Sequence, residues 1–368
     1  MSGPRKDRFY EWLDAPPIRE KPDDPRFELR KALPSEFDAI YDLIDDAFGV
    51  KRPRPLYDWI YRSNPQGLAR CWVIVDRETG RLVWVTAGWP WPMARGETPR
   101  IVGLMGDVAT ARDWQRQGVV PVLRSNLISH PSDENEVLIG WPNAKTVRWL
   151  EKTGNTHRIV GPLPRAVFYL RGRTRLARSA WSPFVAGALG TALDAATAAS
   201  RALTRGGDRE LRIEEVPRFD SSFDAPLRLH AGSPDFWIPH DAEFLNWRYC
   251  DHPVREYRAL GALRGDVLLA YCVLGLDGRR ATLMEFVAPE DPTRVRRALL
   301  AAAIEAARSA GCDRIEVFAT ARWRHWPFLR ASNFIDRRSE YYLYLRHHST
   351  TQMRVEDWQI LPGDHDSL

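Results

Sequence analysis

The stretch Ala111-Arg112-Asp113-Trp114-Gln115-Arg116-Gln117-Gly118-Val119-Val120 joins a segment of strand character, Ile101–Ala109, to one of helical character, Gly118–Ser129. A helix N-terminus carries unpaired backbone N–H groups and a partial positive charge, so a loop opening one can cradle a pyrophosphate. Gly118 permits close backbone approach and Arg116 adds a cation. The plainer alternative is a strand–loop–helix junction with no ligand. Downstream, the strand Val137–Trp141 runs into Pro142-Asn143, and a helix to Gly154 follows.

Upstream, Cys71–Asp76 and Leu82–Gly88 form a hairpin around Arg77-Glu78-Thr79-Gly80, after a helical stretch carrying Trp59, Tyr61 and then Pro65. The same order recurs. Trp247, Tyr249 and Pro253 repeat the W-x-Y-x-x-x-P spacing before a hairpin of Tyr257–Leu263 and Leu268–Leu276. The strand Thr282–Val287, the helix Pro292–Ala310, the strand Ile315–Phe318 and a short helix ending at Asn333 complete it. Six elements matched in order are read as an internal duplication of a mixed α/β unit.

Gln115 and Gly118 fit Q/R-x-x-G-x-G/A, so the loop resembles motif A of the GCN5-related N-acetyltransferase (GNAT) superfamily, with Val120 where Gly or Ala is usual. The later segment resembles the N…YxKxGF element of that family through Asn143, Lys152 and Gly154, with Leu150 at the tyrosine position and Asn155 at that of the Phe. The likeness spans Phe27–Leu170 and Leu211–Arg346, and its wording is similar to bacterial tandem proteins, several of them tied to envelope amino-sugar chemistry.

The resemblance implies an acyl-CoA site in the first copy only. Gln115, Arg116, Gln117, Gly118, Val119 and Val120 would hold the pyrophosphate, and Asn143 the pantetheine arm. A backbone N–H at Val108 or Ala109 would stabilise the oxyanion. Asp107, on the same strand, is the expected base for the acceptor amine, against an equal alternative that it bonds locally. Tyr169 is a conceivable replacement acid, with core packing the plainer reading. Trp89-Pro90-Trp91-Pro92 is the candidate for an acceptor-facing lip, because indoles pack on sugar rings. Asp45 and Asp46, ending a helix opened by Ser35 and Asp38 in capping-box spacing, read as a solvated face. In the second copy the corresponding loop, Ala288-Pro289-Glu290-Asp291-Pro292-Thr293, has two prolines and two carboxylates and would repel an anion.

The expected fold is α/β, a mixed α+β sheet in two tandem GNAT-like domains joined by a helical linker. The divisions are a loose arm over 1–25, an N-terminal domain over 26–171, an Ala-rich linker over 172–209, a degenerate domain over 210–347 and a tail over 348–368. The expected activity is that of an N-acetyltransferase with acetyl-CoA (or another acyl-CoA) as co-substrate and a small amine or amino sugar as acceptor. An inactive acyl-CoA-binding scaffold for envelope polysaccharide assembly and an aminoacyl-tRNA-dependent Fem-like transferase stay open as alternatives.

Composition sets the outer limits. The chain has 368 residues, enough for two cores, and its 27% charged and 44% hydrophobic content is that of a globular protein. The net charge of +5 favours anionic ligands without the concentrated basic run of a nucleic-acid binder, so no nucleic acid is expected. Cys71, Cys250, Cys272 and Cys312 are too scattered for a zinc site, and neither a metal nor a signal peptide is expected. A cytoplasmic location fits. The basic run Arg171, Arg173, Arg175 and Arg178 in the linker admits weak peripheral membrane contact as a minor reading.

Overall fold

A computed structural model describes residues 25–95, 98–117, 119, 137–144, 146–148, 158–160, 162–170, 210–224, 236–291, 293–347 and 358–365. In chain order, the first half holds β1 (Phe27–Lys31), α1 (Phe37–Phe48), α2 (Arg54–Tyr61), β2 (Arg70–Asp76), β3 (Arg81–Arg95), β4 (Thr98–Thr110), β5 (Val137–Gly140), β6 (Arg158–Val160) and β7 (Arg165–Tyr169). Next come β8 (Leu211–Glu215), β9 (Phe236–Trp237), α3 (Ala242–Leu245) with a π turn over Asn246–Cys250, β10 (Glu256–Arg264), β11 (Val267–Asp277) and β12 (Arg280–Val287). The chain continues through α4 (Thr293–Ser309), β13 (Arg314–Phe318), α5 (Trp326–Ala331), β14 (Ile335–Arg337), β15 (Leu343–His347) and β16 (Trp358–Gln359).

The chain divides into two compact units. The first takes residues 1–93, 99–160 and 342–353, and the second takes 94–98, 161–341 and 354–368. The first unit's sheet runs β1-β2-β3-β4-β5-β15-β6, and the second's runs β8-β10-β11-β12-β13-β7-β14. The order is the same in both. In each, the fourth and fifth strands pair in parallel, Gly103↔Leu138 and Ala281↔Ile315 among them. In each, the sixth place is filled by a strand from the other half of the sequence: β15 lies between β5 and β6, and β7 between β13 and β14.

This division differs from the sequence boundaries of 26–171 and 210–347. Arg165–Tyr169 hydrogen-bonds in the second sheet and Leu343–His347 in the first. A strand pairs wherever a matching edge and an apolar face are offered, and five residues of strand carry no address for their partner. The tail expected over 348–368 is also corrected, because Trp358, Ile360, Asp364 and His365 are buried in the second unit. The arm over 1–24, the linker over 172–209 with its basic run, and the helix from Gly118 to Ser129 lie outside the described residues, apart from Val119.

Local chemistry explains the second unit's sheet. On β11, Ala270, Cys272 and Leu274 face the core under α4, while Tyr271 and Val273 face a second cluster with Tyr249 and Val287. The helix α4 buries Val295, Leu299, Leu300, Ala303, Ile304 and Ala307, the three-and-four spacing of one apolar stripe. Asn333 ends the turn after α5 at φ 69°, a left-handed position that Asn tolerates. In the first unit, α1 and α2 meet through Tyr41 and Tyr57, stacked at 4.4 Å, with Tyr61 edge-on to Tyr41 at 5.0 Å. The expected Ser35 cap is not what opens α1. A short 3-10 turn over Pro34–Glu36 precedes it, and the Glu36 carboxylate accepts from the Leu33 N–H at 2.7 Å and pairs with Arg30.

Candidate functional site

The strand β4 is irregular where the chemistry was expected. Asp107 has φ 43°, a left-handed conformation that costs a residue with a Cβ about 1–2 kcal/mol. Such a residue within a strand re-aims its side chain. The parallel ladder with β5 runs from Gly103↔Leu138 to Met105↔Gly140, and the irregular residue comes two positions later.

The Asp107 carboxylate is nearly closed off, at 6% exposure, and both oxygens are engaged. Oδ1 accepts from Arg52 Nη1 at 2.7 Å and Oδ2 accepts from the Tyr61 hydroxyl at 3.0 Å. Both partners come from far along the chain, so a local bond is not what holds this side chain. Burial opposes the Arg52 charge, but Asp107 outweighs it and the guanidinium pKa is raised. Burial, reinforced by Asp107, pushes the Tyr61 hydroxyl well above its ordinary range, so it stays protonated. Asp45 extends the chain of contacts: its Oδ1 accepts from the Tyr57 hydroxyl at 2.7 Å and from the Arg52 N–H at 3.1 Å. The solvated-face reading of Asp45 is therefore corrected, because the carboxylate braces Arg52. Asp46 contacts Arg112 through its backbone and side chain.

After β4 the chain makes a 3-10 turn over Arg112–Trp114. The Gln115 side-chain amide donates back to the Thr110 carbonyl at 3.2 Å, tying the turn to the strand end. Arg116 is exposed at φ 65°, and no ion pair engages it among the described residues. The N–H of Gln117 bonds Trp114 at 3.4 Å, and its side chain bonds the Asp113 carbonyl. Val119 is buried against Phe27, Ile74 and Trp84. Gly118 and Val120 lie outside the described residues, as does Leu150. Val108 is 56% exposed and Ala109 is buried, so the two residues after Asp107 face opposite ways. Asn143 opens a helix as its cap: Oδ1 accepts from the Thr146 N–H at 3.0 Å, and its carbonyl accepts from Val147 at 2.9 Å.

Two other sequence readings are corrected. Trp89 and Trp91 are 3% and 0% exposed, which makes them core rather than a lip, and Trp89 packs edge-on to Tyr61 at 5.9 Å. Tyr169 sits in the second unit's sheet, where its hydroxyl accepts from Arg337 at 3.2 Å. The pair Asp251-His252 opens a bend in which His252 Nδ1 accepts from the N–H groups of Val254 and Arg255.

The second unit holds a cluster that sequence reasoning missed. Tyr249 donates to Glu285 Oε1 at 2.5 Å, and His240 Nδ1 is 2.8 Å from the same oxygen. His240 Nε2 lies 2.9 Å from Asp364 Oδ1, an ion-pair distance off the line of a good hydrogen bond. Burial disfavours a charged His240, but Glu285 and Asp364 outweigh it and raise its pKa from 6.5 to about 10. Burial pushes the Asp364 carboxyl up, with His240 opposing. Gly363 passes so close that a Cβ there would strike Glu285 and Tyr249.

The signal for this cluster was present as spacing. Arg52 precedes Tyr61 by nine residues and His240 precedes Tyr249 by nine. Leu104-Met105-x-x-Val108-Ala109 on β4 matches Leu283-Met284-x-x-Val287-Ala288 on and after β12. Asp107 and Glu285 fall at adjacent places in that match. Each unit thus sets a basic side chain and a tyrosine, nine residues apart, on a carboxylate of its fourth strand. The strands differ locally: Asp107 is left-handed, whereas in β12 the register slips opposite Val273/Leu274, so Val273 pairs with Glu285 and Leu274 with Leu283.

Among the described residues no group of His, Cys, Asp and Glu is arranged to hold a metal ion, and no helix is long and apolar enough to cross a membrane.

No family model matches the sequence, and no curated protein is similar to it. Solved structures are similar in shape. A conserved protein from Enterococcus faecalis V583, described as a probable N-acyltransferase, superposes with a TM-score of 0.58 at 9% identity, over 86% of this chain and 72% of that one. A GCN5-related N-acetyltransferase from Anabaena variabilis gives 0.58 at 12% identity, over 88% and 73%. The Saccharomyces cerevisiae N-myristoyltransferase with bound myristoyl-CoA gives 0.51 at 11% identity, over 89% and 84%. The fold of this chain is the mixed α+β fold of the GCN5-related acyl-CoA N-acyltransferases.

Proposed function

We propose that the chain is an acyl-CoA-dependent N-acyltransferase that moves an acetyl or other short acyl group from CoA to the amino group of a small metabolite or amino sugar. The observation that carries this reading is the left-handed Asp107 in β4, followed by the turn that leaves Arg116 exposed. In that arrangement Gln115, Arg116, Gln117, Gly118, Val119 and Val120 take the pyrophosphate, and Asn143 lies along the pantetheine arm. The two units are read as a tandem duplication, with the acyl-CoA site in the first.

The chemistry is an addition followed by an elimination. The neutral amine nitrogen attacks the thioester carbonyl, and the resulting oxyanion is met by the backbone N–H of Val108 or Ala109. The C–S bond then breaks, the CoA thiolate leaves, and the amine gives up a proton. Asp107 is the proposed base, and Tyr61 and Arg52 hold its carboxylate in place. A thiolate is a fair leaving group near neutral pH, so Leu150 at the usual acid position slows the reaction without forbidding it.

Binding of acetyl-CoA and of longer acyl-CoAs to the purified chain, read as a rise in melting temperature, tests the site. Release of free CoA thiol against an amine library tests turnover. A chain whose melting point no acyl-CoA moves does not carry this function. Binding without thiol release would favour the scaffold reading, and ribonuclease-sensitive transfer would favour the aminoacyl-tRNA one.

A further inference from the structure

Arg52 holds Asp107 with one end of its guanidinium only. Nη1 donates to Asp107 Oδ1 at 2.7 Å, while Nε and Nη2 have no hydrogen-bond partner among the described residues. The side chain is 34% exposed and neither of those nitrogens is sealed from water, so the unused edge is open to solvent. That edge is the one with which a guanidinium grips a carboxylate by two parallel bonds. This chain uses it so elsewhere: Arg26 donates through Nε and Nη2 to Asp76, and Arg165 does the same to Glu316. Phe48 and Tyr57 flank the Arg52 guanidinium, with ring centres 5.7 and 5.5 Å from Cζ.

Charge and surface narrow what the edge can take. Asp45 Oδ1 accepts the Arg52 backbone N–H, so two carboxylates, Asp45 and Asp107, stand near this one guanidinium. The place is not cationic overall, and a lone anion gains little there. A zwitterion is matched at both ends: its carboxylate meets the free edge, and its ammonium lies on the Asp107 side. Each Asp107 oxygen accepts one side-chain hydrogen bond and has a second lone pair. Because the pair is only 2.7 Å apart, a ligand with a single carbon between its charges spans it. Around the pair stand three half-exposed apolar side chains, Phe48, Val50 and Val108. Single exposed apolar residues are ordinary, but here three adjoin one ion pair and offer contact to an apolar substituent.

We propose that Arg52 selects the acceptor, gripping through Nε and Nη2 the carboxylate of an apolar α-amino acid whose amino group lies beside Asp107. The inference rests on the transferase reading, names the class of acceptor within it, and adds no step to the transfer.

The test titrates the full chain calorimetrically at neutral pH, with and without CoA, using L-leucine, L-leucinamide, isoamylamine and L-serine. Leucine should bind about tenfold or more tighter than leucinamide and isoamylamine, which lack the carboxylate. It should also bind more tightly than serine, which lacks the apolar side chain. Arg52→Gln should bring leucine down to the leucinamide level, and Arg52→Lys, which keeps the charge without the fork, should restore part of the preference. A purely structural role for Arg52 would weaken all four ligands alike. Phe48→Ser should keep the preference for acid over amide and lose that for leucine over serine. Equal wild-type affinity for leucine and leucinamide, a comparison that needs no variant to fold, overturns the proposal. So does an unchanged preference in Arg52→Gln, or no leucine binding in either state. Thiol release from acetyl-CoA, followed on the same samples, separates the two readings. Release with amines but without preference for acids sinks the acceptor assignment alone, whereas leucine binding with no release from any amine sinks the transferase reading alone.

Discussion

The Tyr61 hydroxyl donates to Asp107 Oδ2 over 3.0 Å, and it does so from a helix 46 residues away in the sequence. The bond joins the residue that repeats along the chain, the tyrosine of W-x-Y, to a strand residue held in a left-handed conformation. Its counterpart, Tyr249 to Glu285, repeats the relation in the second unit.

Tyr61→Phe should destabilise the chain by about 1–3 kcal/mol, because it leaves a buried carboxylate oxygen without its donor. Arg52→Met should cost a similar or smaller amount, since Arg52 is 34% exposed and water screens the loss. Urea unfolding of both single variants and the double variant measures the coupling. Additive effects would show that the two donors do not serve one carboxylate.

Gly363→Ala places a methyl against Glu285 and Tyr249 where the backbone now passes. Overpacking of this kind costs about 1–3 kcal/mol. The loss should appear as a lower urea midpoint at unchanged slope.

His240 gives the second unit a pH dependence of definite sign. Its folded pKa is raised to about 10 from 6.5, so the stabilisation is complete below 6.5 and is lost as pH rises through about 10. Tryptophan-monitored unfolding between pH 6 and 10 should show the decline, and His240→Gln should flatten it. A wild-type stability that is level across this window would mean that His240 is not held as a cation.

Gly118→Glu should abolish any melting-temperature shift from acyl-CoA, and Arg116→Glu should reduce it, by placing negative charge at the pyrophosphate. Glu290→Ala in the second unit should leave the shift intact. Equal losses from the Gly118 and Glu290 changes would place two acyl-CoA sites on the chain.

Much of this protein is legible residue by residue. The hairpin β10–β11 follows from alternating apolar residues closed on Gly265-Asp266, with Gly265 at φ 58°, and α4 follows from the spacing of Val295, Leu299 and Ala303. The mixed α+β class and the repeated order of elements follow from patterns of this local kind. So does the helix after Asn143, because a cap acts within its own first turn.

What the chain sequence alone determined is therefore the set of elements, their order and the repeated W-x-Y that each half presents. Tertiary structure alone decided that β7 and β15 cross into the sheet of the other half, and that Asp107 meets Arg52 and Tyr61 instead of a local partner. It alone brought His240, Glu285 and Asp364 together from three distant segments and buried Trp89 and Trp91. The physical reason is range. Periodicity, caps and turns act over a few residues, whereas strand pairing and buried ion pairs are settled by which edge and which charge the folded chain offers across tens or hundreds of positions.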